Sequence, residues 1–253
     1  MGERTNIPLA VRMAWAKVRK GIRRAIGQEE GWPPVGFVCW GSLRRTRPVS
    51  RSFGFDRGKP IDRFFLEAFL EKHAEDIQGR VLEVGDREYT MRFGGSRVIR
   101  SEVLHVGTGN PHATIVGRLD TGEGLDWGSY DCLILTQTLH CIYDIASAVR
   151  NVERLLRPEG VALVSLPGIS QISRYDAERW GDYWRVTPAA ATKLFEVAFG
   201  RESVSVESYG NPMTAAAFLF GLVVKDVPSW ALRTQDPDYP LLICLRAMKT
   251  RTA

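Results

Sequence analysis

Between Gly168 and Arg185 the chain crowds together residue types that bind and deprotonate polar molecules. Arg174, Arg179 and Arg185 offer guanidinium forks to an acidic group, and Tyr175, Trp180 and Trp184 offer faces for stacking. The competing reading is a surface helix whose aromatics pack underneath while its charges meet water. Three side chains are placed to take a proton: His140 first, then Asp182 and Tyr183. A helix-start histidine bonded to a backbone carbonyl is the plainer alternative for His140. His105 lies inside an apolar run and reads as a buried core residue, and His112 follows Pro111 in a loop with no assignable role. Cys39, Cys132, Cys141 and Cys244 are scattered, with no CxxC pair and no histidine at ligand spacing. Reduced, mostly buried thiols and no metal are the expectation.

These groups need a frame. Arg80–Val84, Val103–Val106, Ala113–Val116, Tyr130–Leu135, Val161–Leu166, Ser203–Ser208 and Leu241–Arg246 read as seven strands. Their near-continuous apolar character suits strands covered on both faces, as in a parallel sheet between helices. Helical periodicity runs over Ile61–Ile77, Ile145–Leu156 and Thr187–Phe199, with an apolar helix over Met213–Val224 that serves the core, a dimer contact or a pocket wall. The alternation predicts an α/β, Rossmann-like, doubly wound and mostly parallel sheet, with ligands beyond the carboxyl ends of the strands. The residues that follow each strand, Gly85–Tyr89 and Thr136–His140 among them, are therefore the ones to watch.

Two organisational units are expected: an extension over 1–60 and the α/β domain over 61–253. Residues 1–60 hold thirteen Lys/Arg against four Asp/Glu, so the net charge of +5 belongs to the extension. Ile7–Ile26 carries apolar residues at a period near 3.6 between arginines and lysines, a basic amphipathic helix for packing, a membrane surface or a polyanion. From Gly31 to Pro60, Trp32, Phe37, Trp40, Phe53 and Phe55 argue against a free linker and for a segment across the active-site mouth. Hydrophobic residues at 44% and charged residues at 25% describe a globular chain. No apolar run approaches the ~20 residues of a membrane span and no secretory signal is read, so a cytoplasmic location without integral membrane contact is expected.

Three segments in order resemble the class I S-adenosylmethionine-dependent methyltransferase superfamily: Val81-Leu82-Glu83-Val84-Gly85, Tyr130–His140 with Ile142-Tyr143-Asp144, and Leu155–Leu163 around Arg157-Pro158-Glu159-Gly160. The resemblance implies that Glu83, Val84, Gly85 and Asp86 border the methionine end of the cofactor. It implies that Val106, Gly107 and Thr108 reach the ribose, Leu119 and Asp120 the adenine, and Thr136 and Gln137 the sulfonium. The first turn departs from the family pattern, with Arg87 and Tyr89 at glycine places, and Tyr89 is then a residue to stack on the cofactor. No acid stands at the end of the second strand, and Arg118 takes the place of another after the third, with Asp120 close by.

The implied activity is methyl transfer to an oxygen, hydroxyl or carboxylate, of a small-molecule, sugar or peptide natural product, leaving S-adenosylhomocysteine. The Gly-Asp-Arg-Glu-Tyr-Thr turn and the Gly-Asp-Tyr-Trp-Arg segment resemble methyltransferase-domain proteins of bacterial glycan and natural-product pathways. A homodimer is compatible with this reading. The altered turn keeps open a non-methylating enzyme, such as a cyclase, on the same fold. The basic extension keeps open a nucleic-acid or membrane-binding module. Thr136-Gln137-Thr138-Leu139 stands where nucleic-acid methyltransferases carry Asn/Asp-Pro-Pro-aromatic, so a nucleic-acid acceptor is not expected.

Overall fold

The computed structural model describes residues 38–251; the helix expected over 7–26, with Trp32 and Phe37, lies outside them. The chain divides into a unit Met1–Thr46 and a unit Arg47–Ala253. In the first, Gly41–Leu43 form one 3-10 turn. Everything that follows concerns the second.

Seven strands make one sheet: β1 (Gly79–Val84), β2 (Val98–His105), β3 (Ile115–Val116), β4 (Tyr130–Thr136), β5 (Leu156–Pro167), β6 (Val204–Tyr209) and β7 (Leu242–Met248). Their order is β3-β2-β1-β4-β5-β7-β6. β7 runs antiparallel to both neighbours, and the remaining pairings are parallel. Chain order reverses between β1 and β4, and a crevice opens beyond strand carboxyl ends at such a point. The register Glu83↔Ile134 brings the ends of those two strands side by side.

Six helices cover the sheet: α1 (Ile61–Lys72), α2 (Ile145–Leu155), α3 (Arg174–Ala177), α4 (Pro188–Phe199), α5 (Pro212–Leu219) and α6 (Ser229–Arg233). Side chains alternate across each strand, which explains two separate cores. Leu133 and Leu135 join Val149 and Val152 of α2 and Phe195 of α4 on one face. Cys132 and Ile134 join Phe65 and Phe69 of α1 and Phe218 of α5 on the other. Asp144, Thr187 and Asn211 cap α2, α4 and α5 by accepting backbone N–H bonds, each a contribution of about 1 kcal/mol.

Several boundaries differ from the periodicity reading; the first helix stops at Lys72 rather than Ile77, and β3 begins at Ile115 rather than Ala113. β2 begins at Val98 rather than Val103; its first half hides behind polar residues because Glu102 accepts from both Arg80 and Arg100, each at 2.6 Å, while Ile99 is exposed. The helix stop at Arg157–Gly160 belongs to β5, where Glu159 takes a φ of 67° and its N–H donates to the Lys249 carbonyl at 2.8 Å. α5 ends at Leu219, because residues 223–224 leave it to pair with 59–60. That pairing, with Val49 N–H donating to the Phe220 carbonyl at 2.8 Å, fastens 49–60 to the domain. Gly54 serves the same join: its φ is +92°, and a Cβ there would lie 2.8 Å from Val223.

The turn after β1 holds a five-residue π-helix, Thr90–Gly94, then a 3-10 turn, Gly95–Arg97. Thirteen residues separate β1 from β2, close to the shortest crossover that joins parallel strands.

Candidate functional site

Two cavities open beyond the carboxyl ends of the strands. One, of about 460 Å³, lies over β1–β4 and is lined by Val84, Gly85, Val106, Leu119, Asp120 and Thr136, among others. The second, of about 600 Å³, lies over β4 and β5 and receives His140, Arg174, Tyr175 and Arg185 together with Arg51 and Phe53 from the 49–60 segment. Gln137 and Asp176 line both.

The first cavity owes its shape to the β1 turn. Gly85 holds a φ of +89°, and the space where a Cβ would stand is open. The Gly85 carbonyl accepts from Asn110 Nδ2 at 2.6 Å, which draws the loop after β2 against the turn. Glu83, one residue before Val84, does not line the cavity. Its carboxylate is buried and accepts from Thr90 N–H at 2.8 Å, Thr90 Oγ1 at 2.7 Å and Tyr89 N–H at 3.3 Å. Burial nevertheless pushes its carboxyl up to about 7, against those donors. Tyr89 packs on Phe93 within the α1 side of the core instead of stacking over the cavity. Asp86, Gly107 and Thr108 also fall outside the lining, whereas His105 lies in it. The His105 ring is half-buried rather than a core residue; its Nδ1 sits 3.2 Å from Gly107 N, and its edge meets Trp180.

The 168–185 stretch divides between the cavities. Arg174, Tyr175 and Arg185 face the larger one, and Arg179, Trp180 and Tyr183 line the smaller one, where Arg179 lies over the Tyr175 ring at 3.7 Å. Trp184 lines neither; its indole N–H donates to the Ile142 carbonyl at 3.0 Å. Asp182 is buried outside both and holds the Arg185 guanidinium with bonds of 2.6 and 2.8 Å. Burial works to raise the Asp182 carboxyl, but Arg185 and the Ser173 N–H hold it below its usual range. Asp182 thus orients an arginine instead of meeting a reactant.

Gln137 ends β4 with a φ of 48°, a strained position for a residue with a Cβ. The Ser165 hydroxyl and carbonyl hold its N–H at 3.0 and 3.2 Å. The next turn, Leu139–Cys141, carries His140, which is 5% exposed, with Nε2 3.3 Å from Cys141 Sγ and 3.9 Å from Asp182. Its Nδ1 has no partner among the described residues. Burial lowers the imidazole to about 4; Asp182 and Asp176 oppose this, and Arg185 and Arg63 reinforce it. The ring is therefore neutral at pH 7, with one ring nitrogen carrying a lone pair, while burial opposes the charge a second proton would bring. His140, Cys141 and Asp176 bring ligand-type atoms within 4.8 Å of one another. Burial pushes the Cys141 thiol up to about 12.

Sequence reasoning passed over Arg51, Asp62, Arg63 and Asp176 in the larger cavity. The only signal for the first three was the aromatic crowding of the segment before α1. No helix among the described residues is long and apolar enough to cross a membrane.

The strand order, the reversed β7 and a cavity at the β1/β4 switch define a Rossmann-like fold. Residues 104–164 match the family model described as a methyltransferase domain. In both respects the chain is similar to the class I S-adenosylmethionine-dependent methyltransferase superfamily. A search of curated proteins finds no match. Among solved structures it is similar to a SAM-dependent methyltransferase from Archaeoglobus fulgidus, with 12% identity, TM-score 0.49, and 74% of this chain and 94% of that one covered. It is also similar to a S-adenosylmethionine-dependent methyltransferase from Mesorhizobium loti at 15% identity and TM-score 0.47, covering 77% and 99%. The cyclase SpnF follows at 14% and 0.48, covering 75% and 81%.

S-adenosylmethionine is the cofactor of this superfamily, and the smaller cavity fits it. The open space above Gly85 admits a ligand against the backbone, and Val106, Leu119 and Trp180 supply apolar and aromatic surface for a flat base. Asp120 borders the cavity but is held by Arg118 at 2.7 Å.

Proposed function

We propose that the protein methylates a hydroxyl oxygen of a small-molecule acceptor, a sugar or peptide natural product included. The observation that carries this reading is the junction of two cavities at Gln137 and Asp176, one turn before a neutral, buried His140. Gly85, Val106, Leu119 and Thr136 would hold the cofactor, which supplies an electrophilic methyl whose bond electrons remain on sulfur as the acceptor oxygen takes it. The chain's own work is orientation and proton handling. Gln137, fixed by Ser165, walls the passage between the cavities. His140 receives the hydroxyl proton, and Asp182 and Arg185 beside it favour and oppose the resulting charge respectively. A carboxylate acceptor would need no base, and the burial of an imidazole would then go unused. We place the enzyme in the cytoplasm.

The shortened β1 turn favours a second reading, a catalyst such as a cyclase that keeps the cofactor without spending its methyl. Calorimetry with S-adenosylhomocysteine, then transfer of radiolabelled methyl to candidate acceptors, separates the two. Binding with label transfer supports methylation. Binding with a rearranged, unlabelled product supports the cyclase reading, and no binding removes both.

A further inference from the structure

We infer that the acceptor carries an anionic group, phosphate or carboxylate, that serves as a handle separate from the methylated hydroxyl, and that Arg51, Arg174 and Arg63 receive it. The inference rests on the larger cavity being the acceptor site.

Four arginines line that cavity against two acids. They are not equivalent. Arg185 is committed: both terminal nitrogens bond Asp182, and Nη2 also donates to the Gln171 carbonyl at 2.6 Å. Arg63 is half-committed, with Asp62 at 2.9 Å and the Phe55 ring 5.5 Å away. A planar guanidinium carries five N–H donors, so the Asp62 bond leaves Arg63 donors for an added anion. Arg51 and Arg174 have no side-chain acceptor among the described residues, although both stand at the cavity. Gln171 ties the Arg51 backbone to the Arg185 loop: its Nε2 donates to the Arg51 carbonyl at 2.8 Å, while its own carbonyl accepts from Arg185.

The other acid, Asp176, stands where the larger cavity meets the smaller one, and Gln137 shares that junction. The larger cavity thus holds an acid and an imidazole together with guanidinium donors that have no side-chain acceptor among the described residues. Such donors bind phosphate or carboxylate through paired hydrogen bonds. A carboxylate gripped this way loses nucleophilicity, so the gripped anion is a handle and the reacting oxygen lies elsewhere, at His140. Phe53 and Tyr175 also line the cavity and offer aromatic surface to the body that joins handle and hydroxyl.

The test uses the full chain, with and without saturating S-adenosylhomocysteine, and calorimetric titration of glucose, glucose 6-phosphate, glucuronate and inorganic phosphate. At least one charged sugar should bind about tenfold or more tightly than glucose, as expected for one or two charge-assisted bonds. Phosphate preference over glucuronate, or the reverse, assigns the handle. Arg51→Gln with Arg174→Gln, two exposed positions, should remove most of that preference and leave S-adenosylhomocysteine affinity unchanged. Equal binding of charged and neutral sugars, no binding of any of the four, or a preference that survives the double variant overturns the inference. Failure of S-adenosylhomocysteine alone to bind strikes the methyl-transfer reading instead, because the anion preference is measured without it as well.

Discussion

The two cavities share Gln137 and Asp176 but are built by different rules. The smaller is made mostly from strand ends and the turns directly after them, so the sheet's register fixes it. The larger draws on segments more than a hundred residues apart, Arg51–Phe55, His140 and Ser170–Arg185, held together by loop hydrogen bonds such as Gln171 Nε2 to the Arg51 carbonyl. A cofactor site inherited from the sheet tolerates little movement. An acceptor site assembled from loops can be respecified without disturbing the fold.

The sharpest way to break this division is His140→Gln. It should lower kcat by roughly a hundred- to ten-thousand-fold while leaving S-adenosylhomocysteine affinity intact, as measured by single-turnover kinetics beside calorimetry. Equal damage to both quantities would merge the two sites. The complementary change is Gly85→Val. It forces a β-branched residue into a φ of +89° and fills the open space, so S-adenosylhomocysteine binding should weaken by more than about tenfold, with backbone strain of about 1–3 kcal/mol visible in urea unfolding. Binding of acceptor analogues to the larger cavity should survive it.

Asp182→Asn probes the seam between the loops. It leaves Arg185 without its carboxylate and should cost about 1–3 kcal/mol of stability, with a larger change in acceptor KM than in cofactor affinity. The smallest effects are those of pH. His140 is lowered to about 4, so activity should hold through pH 6.5 and decline only toward pH 4, whereas a solvent-exposed imidazole would fail near its ordinary value. Asp182, Asp176, Arg185, Arg63 and Cys141 all face that ring, and Asp182→Asn should shift the limb lower. Glu83 acts in the opposite direction on folding. Its folded value, raised to about 7, means that its contribution is full below pH 4.5 and is lost as pH rises through 7. Glu83→Gln should therefore flatten stability between pH 5 and 8 in denaturant titrations.

Most of the sheet was legible because strands buried on both faces leave unbroken apolar runs. β2 was half-legible, since Arg100-Ser101-Glu102 satisfies an ion network at the strand's outer end and so mimics a loop. The residues at strand ends, Val84, Gly85, Val106, Leu119, Asp120, Thr136 and Gln137, followed from topology joined to the family resemblance, and all line the smaller cavity. The partition of Arg179, Trp180 and Tyr183 from Arg174 and Arg185 was not legible, because it depends on which way a four-residue helix turns. Arg51 and Arg63 were invisible for a similar reason: nothing local marks a residue that meets Arg174 and Arg185 only when distant segments line one cavity.

The enclosed Glu83 has a consequence for ionic strength. Its carboxylate is consumed by the turn it caps, Asp120 is shared with Arg118, and Asp176 stands in the same lining as Arg179, so acids and guanidinium groups offset one another around the smaller cavity. Affinity there should change little between low and physiological salt. The arginine rim of its neighbour should respond steeply, because exposed charges lose reach as the Debye length shrinks toward about 8 Å.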